Sequence, residues 1–583
     1  MPAELAKIPG VGGSRRRLWL SRRRDPFGAR FRTRRRAAGW NGRPVRRATP
    51  RLGLTGTRPV AWGSLAVWAG CIGVGAYVAH AAWSASRVHV SAEGLARNAT
   101  LTSKALAQRT VRFTVDPSDR IDRAKVLLDG KALPDKAVDL TGATLTWRPG
   151  RISEGEHRVV VVVPRMAMPQ SRTGWRFVVD DTPPRIDVPA LVPAAALCTP
   201  VTIRGQVEKG ATLTLDGKPL LHKGSFTLRY PQPPTAPIHL AATDRAGNQS
   251  QVEVIVPVRY PGGQGVHVTA AAWGYEPLRK GVLALIDAHL VSVVELDLKD
   301  EDGIVGYDSK VPLAQRIDAV QPEYRIKETV ADLKQRGVRV VGRIVAFKDP
   351  QLAEWAWKNG HRDWVVQDDK GGMLAGGFTS HSSLDVQHYN LDIAVEASAA
   401  GVEDILWDYV RRPEGDPETM RIPGLKPPAT SADAVVDFLT MTRAALAQRC
   451  TFQGASVFGI AADRPNAVGQ DVPRIARHVD YIAPMVYPSH WVDGEYDVDH
   501  PNAEPFDIVK ASLADFQAKV AGTGTPLMPW LQDFSLGYTY GPTEVRAQID
   551  AAAQLGISDW LLWNPGVRYT SGALSASLVR VRP

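Results

Sequence analysis

The chain has 583 residues, 44% hydrophobic and 22% charged, which is too long for one core and ordinary for globular protein. Its net charge of +11 belongs to one end: residues 1–61 hold seventeen Lys and Arg against Glu4 and Asp25 and carry +15, leaving −4 for the rest. That distribution gives no ground for a nucleic-acid-binding protein as a whole, and no nucleic acid is expected as a partner.

The first segment, residues 1–60, includes RRRLWLSRRRDPFGARFRTRRR (15–36) and reads as a disordered basic tail. Its expected role is membrane topology and attraction to anionic lipid headgroups, with nucleic acid as the alternative ligand. No charged residue occurs from Pro59 to Ser86, and AWGSLAVWAGCIGVGAYVAHAAW (61–83) is long enough for a transmembrane helix of about 20 residues. Trp62 and Trp83 lie near its ends, and the basic flank puts the N-terminus in the cytoplasm and the later segments outside. A cleaved signal peptide is the rival reading, but a basic leader of this length is unlike a signal n-region. Cys71, Cys198 and Cys450 fall in three different segments, with no zinc spacing and no pair that predicts a structural disulfide.

Residues 88–180 and 184–260 alternate apolar and polar in short runs, such as VRFTV (111–115), HRVVVVV (157–163), VTIRGQV (201–207) and SFTLRY (225–230). The stretch DDTPP (180–184) divides them. Period-two strands with frequent turns predict two β-sandwiches. The second half resembles bacterial immunoglobulin-like modules in its TDRAGNQS (243–250) and the last strand after it, and the resemblance implies that fold for the pair. LDGKAL (128–133) repeats as LDGKPL (215–220), an Asp-Gly hairpin signal in each half. No catalytic constellation is present here; the expected role is a spacer, with sugar binding as the alternative.

From residue 263 to 583 strands and helices alternate. Strands are predicted at 266–273, 292–298, 338–347, 404–410, 456–462, 480–487, 526–531 and 559–563, with helices between them such as 324–337 and 542–556. Eight βα units fit one (β/α)8 TIM barrel, which places chemistry at the C-terminal strand ends. Those ends carry Asp297, Lys299 and Asp300; Arg343, Lys348 and Asp349; Asp408 and Arg411; Asp463; Tyr487, His490 and Trp491; Trp530, Gln532 and Asp533; Trp563 and Asn564.

Carboxylates, basic groups and tryptophans at one mouth form a surface for a polysaccharide or oligosaccharide, since aromatic faces stack on sugar rings and polar groups bond hydroxyls. Glycoside hydrolysis needs two carboxyl groups flanking the bond. The leading catalytic candidate is Asp408, driven out of the apolar strand of DILWDYVRRP (404–413) with Arg411 beside it to keep it ionised. The bland alternative is a structural Asp408–Arg411 salt bridge. Asp297, Asp463 and Asp533 are the other catalytic candidates, and alternation puts Glu295, Asp297 and Lys299 on one strand face. His490 with the aspartates lacks metal-ligand spacing, so neither a metal nor another cofactor is expected.

Several stretches, ELDLKDEDGIVGYDSKVPLA (295–314), RIVAFKDPQLAE (343–354), DILWDYVRRP, DYIAPMVYPSHW (480–491), PWLQDF (529–534) and WLLWNPGVRYT (560–570), resemble a bacterial TIM-barrel family classed as glycoside hydrolases from their fold, formerly a domain of unknown function. The resemblance implies carbohydrate hydrolysis and carries Asp297, Lys299, Asp300, Lys348, Asp349, Asp408, Arg411, Tyr487, His490, Gln532 and Asp533 as site residues. The barrel also distantly resembles family 18 chitinases, whose fourth strand ends in DxxDxDxE. Here GVEDILWDYV (401–410) keeps Asp408 but puts Val410 at the glutamate position, which argues against their substrate-assisted chemistry and leaves the general acid unassigned. The leading expectation is a membrane-anchored extracytoplasmic glycoside hydrolase. The rivals are a glycan-binding protein without a competent acid pair, and an envelope scaffold.

Overall fold

The structure is a computed structural model that describes residues 87–165 and 168–575 and, before them, Ala76 alone. The predicted basic tail (1–60) and membrane helix (61–83) thus lie outside the described residues. Among the described residues no helix is long and apolar enough to cross a membrane.

Two compact units are formed, one within residues up to 178 and one from Val179 onward that also takes in 100–105 and 153–155. In the first unit the run VRFTVD forms the strand Val111–Asp116, and its alternation buries Val111, Phe113 and Val115. These join Trp147, Val161 and Phe177 in the buried set. The Asp-Gly signals do what their chemistry requires in both halves. Asp129 and Gly130 take φ of 52° and 84°, and Asp216 and Gly217 take 47° and 76°. Two consecutive positive φ values make the turn whose twist matches antiparallel strands, and antiparallel pairs flank both turns.

The second unit begins with a three-stranded and a four-stranded antiparallel sheet. Their inward residues Ile203, Leu213, Phe226, Leu228, Leu240 and Val254 form one core. Cys198 of this β-module is joined to Cys450 of the following domain by a disulfide across 252 residues, contrary to the expectation of no structural disulfide. Spacing carries no signal at such a separation; only the folded chain brings the two sulfurs together.

The C-terminal domain is a closed parallel barrel of eight strands: β1 (Gln264–Val268), β2 (Val293–Lys299), β3 (Arg339–Val345), β4 (Asp404–Asp408), β5 (Phe452–Phe458), β6 (Tyr481–Met485), β7 (Trp530–Gln532) and β8 (Trp560–Trp563). Each pairs with the next, and β1 closes the ring by pairing with both β2 and β8. The long helices are α1 (Glu276–Asp287), α2 (Ile326–Gln335), α3 (Pro350–Lys358), α4 (Leu384–Ala399), α5 (Ser431–Ala447), α6 (Pro505–Val520) and α7 (Pro542–Gln554). The βα alternation is imperfect. A helix of four residues, Val472–Ile475, follows β5, and among the described residues a 3-10 turn alone follows β8.

Strand limits moved where the chain turns sooner than alternation suggests. The first strand stops at Val268 because Thr269 caps a short helix, its side chain accepting from the Ala272 amide. Outward residues such as Val294, Leu296 and Ile405 pack into the core that contains the helices' buried residues. Val293, Val341, Leu406, Ala483, Met528 and Leu561 fill the interior instead.

The N-terminal end of the barrel is plugged. Tyr260, in the segment entering the barrel, stacks on Tyr481 at 4.1 Å and donates to Asp404 at 2.7 Å. Arg339 lies over the Tyr260 ring and pairs with Asp404. Chemistry is thereby confined to the opposite mouth.

Candidate active site

Register fixes which charged residues meet. Asp297 of β2 lies opposite Arg343 of β3, and Val345 of β3 opposite Asp408 of β4. Period-two alternation turns Glu295, Asp297, Arg343 and Asp408 inward. Asp404 and Asp408, four residues apart, share this inward face yet end in different places: Asp404 in the plug, Asp408 at the mouth.

Arg343 is the hub. Its Nε and Nη2 donate to Asp408 Oδ2 at 2.9 and 2.7 Å, and its Nη1 donates to Asp297 Oδ1 at 2.8 Å and Glu301 Oε2 at 3.3 Å. His267 of β1 adds an Nε2 contact to Asp297 Oδ1 at 2.9 Å. Burial pushes the Asp297 carboxyl up, but His267 and Arg343 outweigh it and hold the group below its ordinary range. Asp408 Oδ1 accepts from the Tyr409 amide at 2.7 Å.

Arg411, expected to support Asp408, is committed elsewhere. It pairs with Glu414 at 2.8 Å and lies over the Tyr409 ring at 4.6 Å. The opposing strand supplies the guanidinium that the sequence-adjacent arginine was expected to give. Lys348 approaches the same Tyr409 ring at 5.3 Å. Tyr409 itself has φ of 49°, a left-handed conformation that is strained for a tyrosine and common at functional sites.

Two further carboxyls bear on the site. Glu295 is fully buried beneath Asp297, and neither of its oxygens has a hydrogen-bond partner. Burial raises its pKa well above the ordinary value, against the lowering effect of Arg343. Asp300, in the turn after β2, accepts from the amides of Asp302 and Ile304 at 3.0 and 2.9 Å. Burial, aided by the Asp297 and Glu301 charges and opposed by those amides, pushes it up to about 6.

The aromatic side of the mouth comes from β6 to β8. Tyr487 stacks on Trp563 at 5.4 Å, and Phe534 meets Trp563 edge-on at 5.0 Å. His490 meets Tyr487 edge-on at 5.0 Å, and burial lowers its pKa to about 4, so the ring is neutral. Trp530 lies deeper, its Nε1 donating to Ser456 at 3.2 Å below Arg343.

The remaining sequence-derived residues sit apart from the Arg343 cluster. Lys299 and Asp349 form a fully buried ion pair at 2.6 Å, beside Tyr389 of α4. The strand register shifts between Asp297 and Lys299, so Lys299 does not share the Asp297 environment as strict alternation predicts. Asp349 also caps α3, accepting from the Leu352 amide. Gln532 accepts from the Ser489 amide at 3.1 Å and donates to the Phe534 carbonyl at 2.9 Å, holding two loops. Asp533 accepts both the amide and hydroxyl of Thr570, at 2.8 and 2.6 Å. Asn564 donates to the Asp533 carbonyl. Trp491 is buried in the helix-side core, edge-on to Tyr496. Asp463 has a side chain 62% exposed and pairs with Arg464 at 3.3 Å. Among the described residues no group of three His, Cys, Asp or Glu is arranged to hold a metal ion.

A family model described as "Putative glycosyl hydrolase domain" (DUF4015) matches residues 265–569, more than half of the chain. The chain belongs to this family. The glycosyl hydrolase domain so defined runs from β1 past β8 and contains every charged residue of the Arg343 cluster. No curated protein matches the sequence. Among solved structures, the chain is similar to a hypothetical protein from Ruminiclostridium thermocellum, at 25% identity over 33% of this chain and 96% of that one, TM-score 0.29. It is similar to the PgaB (BpsB) glycoside hydrolase domain from Bordetella bronchiseptica, at 16% identity over 53% and 95%, TM-score 0.40. It is also similar to the α-galactosidase TtGalA from Thermus thermophilus, solved with stachyose, at 12% identity over 76% and 93%, TM-score 0.36.

In this glycosyl hydrolase domain, sequence reasoning passed over His267, Glu301 and Tyr409, and it placed Glu295 on the Asp297 face without making it a site residue. His267 sits at an inward position of VHV, where alternation could have found it. Glu301 and Tyr409 are loop residues placed by turns, and nothing local marks them.

Proposed function

We propose that the barrel mouth hydrolyses an O-glycosidic bond of a polysaccharide. The observation that carries this reading is the gathering of Asp297, Asp408 and Glu301 around one guanidinium at the C-terminal strand ends. Two carboxyls on a single guanidinium lie within the range, up to about 10 Å, over which glycosidase pairs act. Arg343 helps hold the Asp297 carboxyl below its ordinary range, and Asp408, bonded to the same guanidinium at the strand end, takes the part of nucleophile or base. Asp300, pushed up to about 6, is the candidate acid for the leaving oxygen. Trp563, half-buried and backed by the buried Tyr487, offers aromatic surface for a sugar ring.

The wider setting is part of the proposal. Residues 88–180 and 184–260 serve as immunoglobulin-like spacers between a membrane anchor at 61–83 and the catalytic domain at 263–583, outside the cytoplasm. The Cys198–Cys450 disulfide supports an oxidising compartment. The substrate class is cell-envelope or environmental glycan.

The engagement of one oxygen of each of Asp297 and Asp408 by Arg343 favours a second reading, a glycan-binding barrel without turnover. New reducing ends from a panel of cell-wall and exopolysaccharide glycans decide between them, using the full chain and its Asp408→Asn variant. Cleavage by the parent and a loss of at least about 10²-fold in the variant fits the hydrolase. Binding without cleavage by either fits the second reading.

A further inference from the structure

We propose that a groove beside the end of β4 is an anion subsite, so that the glycan taken by this barrel carries carboxylate or phosphate groups. The inference rests on the glycan-cleaving reading of the mouth and narrows its substrate class.

The groove has a volume of about 590 Å³ and is walled by the loop after β4, the first turn of α5 and the loop after β5. All three belong to the barrel face on which Asp408 opens. Its lining includes three cations, Arg412, Arg421 and Lys426, and no acid. Arg412 is buried, yet its guanidinium meets neutral oxygens: the carbonyls of Pro413 and Gly415 at 2.9 Å each and of Asn466 at 3.1 Å. The acids nearby are engaged with other groups. Glu414 pairs with Arg411, and Asp416 accepts from the Glu418 amide at 2.9 Å. A buried guanidinium without a carboxylate is expensive unless an anion compensates it. Burial and the neighbouring Arg411 charge lower the Arg412 pKa and outweigh the raising effect of Asp416 and Glu414.

Two features add to the cations. Thr430 and Ser431, at the N-terminus of the seventeen-residue α5, line the groove, and the helix end favours negative charge. Asp433 in that turn partly offsets this, being bonded to Thr430 and paired with Arg474 at 2.8 Å. Ile422 and Pro423 supply apolar wall as well, which suits a sugar ring and distinguishes the groove from a site for a bare inorganic anion.

Calorimetric binding to the full chain carrying Asp408→Asn, which removes turnover, tests the proposal. The probes are a galacturonic acid tetramer, the same tetramer with its carboxyls reduced to alcohols, and a mannose tetramer bearing 6-phosphates. At least one anionic tetramer is expected to bind about tenfold or more tightly than the reduced one, and which one does identifies the anion. Adding Arg421→Gln and Lys426→Gln, two exposed positions, is expected to erase that preference without lowering Tm. Equal binding of all three tetramers, no binding of either anionic one, or a preference that survives the double substitution overturns it. The hydrolase reading fails separately: anionic preference without cleavage by the parent chain sinks hydrolysis alone, and cleavage of glycans without preference sinks the subsite alone.

Discussion

Arg343→Met removes the guanidinium that Asp297 and Asp408 share, and the structure sets both the size and the pH dependence of the effect. Arg343 donates four hydrogen bonds, three of them to carboxylates that are almost fully buried. Breaking a buried ion pair by removing one partner costs about 3–5 kcal/mol. In the parent, the depressed Asp297 pKa contributes stability above the unfolded value of about 3.9, lost as pH falls through the lower folded value. In the variant, burial acts on Asp297 with less opposition, and Asp297 retains a proton that the unfolded chain has released. The sign then reverses. The native state binds more protons, so stability falls as pH rises, by about 1.4 kcal/mol per pH unit for each proton retained. Thermal unfolding of parent and variant at pH 5 and pH 8 reads this. A large Tm deficit at pH 8 that shrinks at pH 5 is expected. A deficit equivalent to less than about 1 kcal/mol, or one unchanged between the two pH values, refutes the Arg343-centred account.

Glu295→Gln is expected to stabilise the barrel at pH 8 and change little near pH 4. A carboxyl raised by burial costs the native state about 1.4 kcal/mol per pH unit above its unfolded value until the raised value is reached; Tm measured against pH shows it. Asp300→Asn is expected to lower kcat on natural glycans by at least about 10²-fold and to abolish the alkaline limb near pH 6, while an aryl glycoside with an acidic leaving group is still cleaved; equal losses on both substrates exclude Asp300 as the acid. Thiol titration of the unreduced, denatured chain is expected to find Cys198 and Cys450 protected. Cys198→Ser is expected to lower Tm, bounded by the chain-entropy limit of about 5 kcal/mol for so long a loop.

The sequence by itself determined what depends on neighbours along the chain. Alternation buried Val111, Phe113 and Val115; Asp129-Gly130 and Asp216-Gly217 made the same turn twice; the βα pattern gave the barrel and pointed to its C-terminal ends. Period two also turned Asp297 and Asp408 inward. Tertiary structure decided which groups meet. Arg411 is nearer to Asp408 in sequence, but Arg343, from the adjacent strand, holds it, because inward side chains at one level touch across strands. A register shift after Asp297 moved Lys299 to Asp349. Asp533 went to Thr570, and Cys198 found Cys450 across 252 residues. None of these pairings leaves a local trace, since each depends on where barrel closure carries a side chain that is remote in sequence.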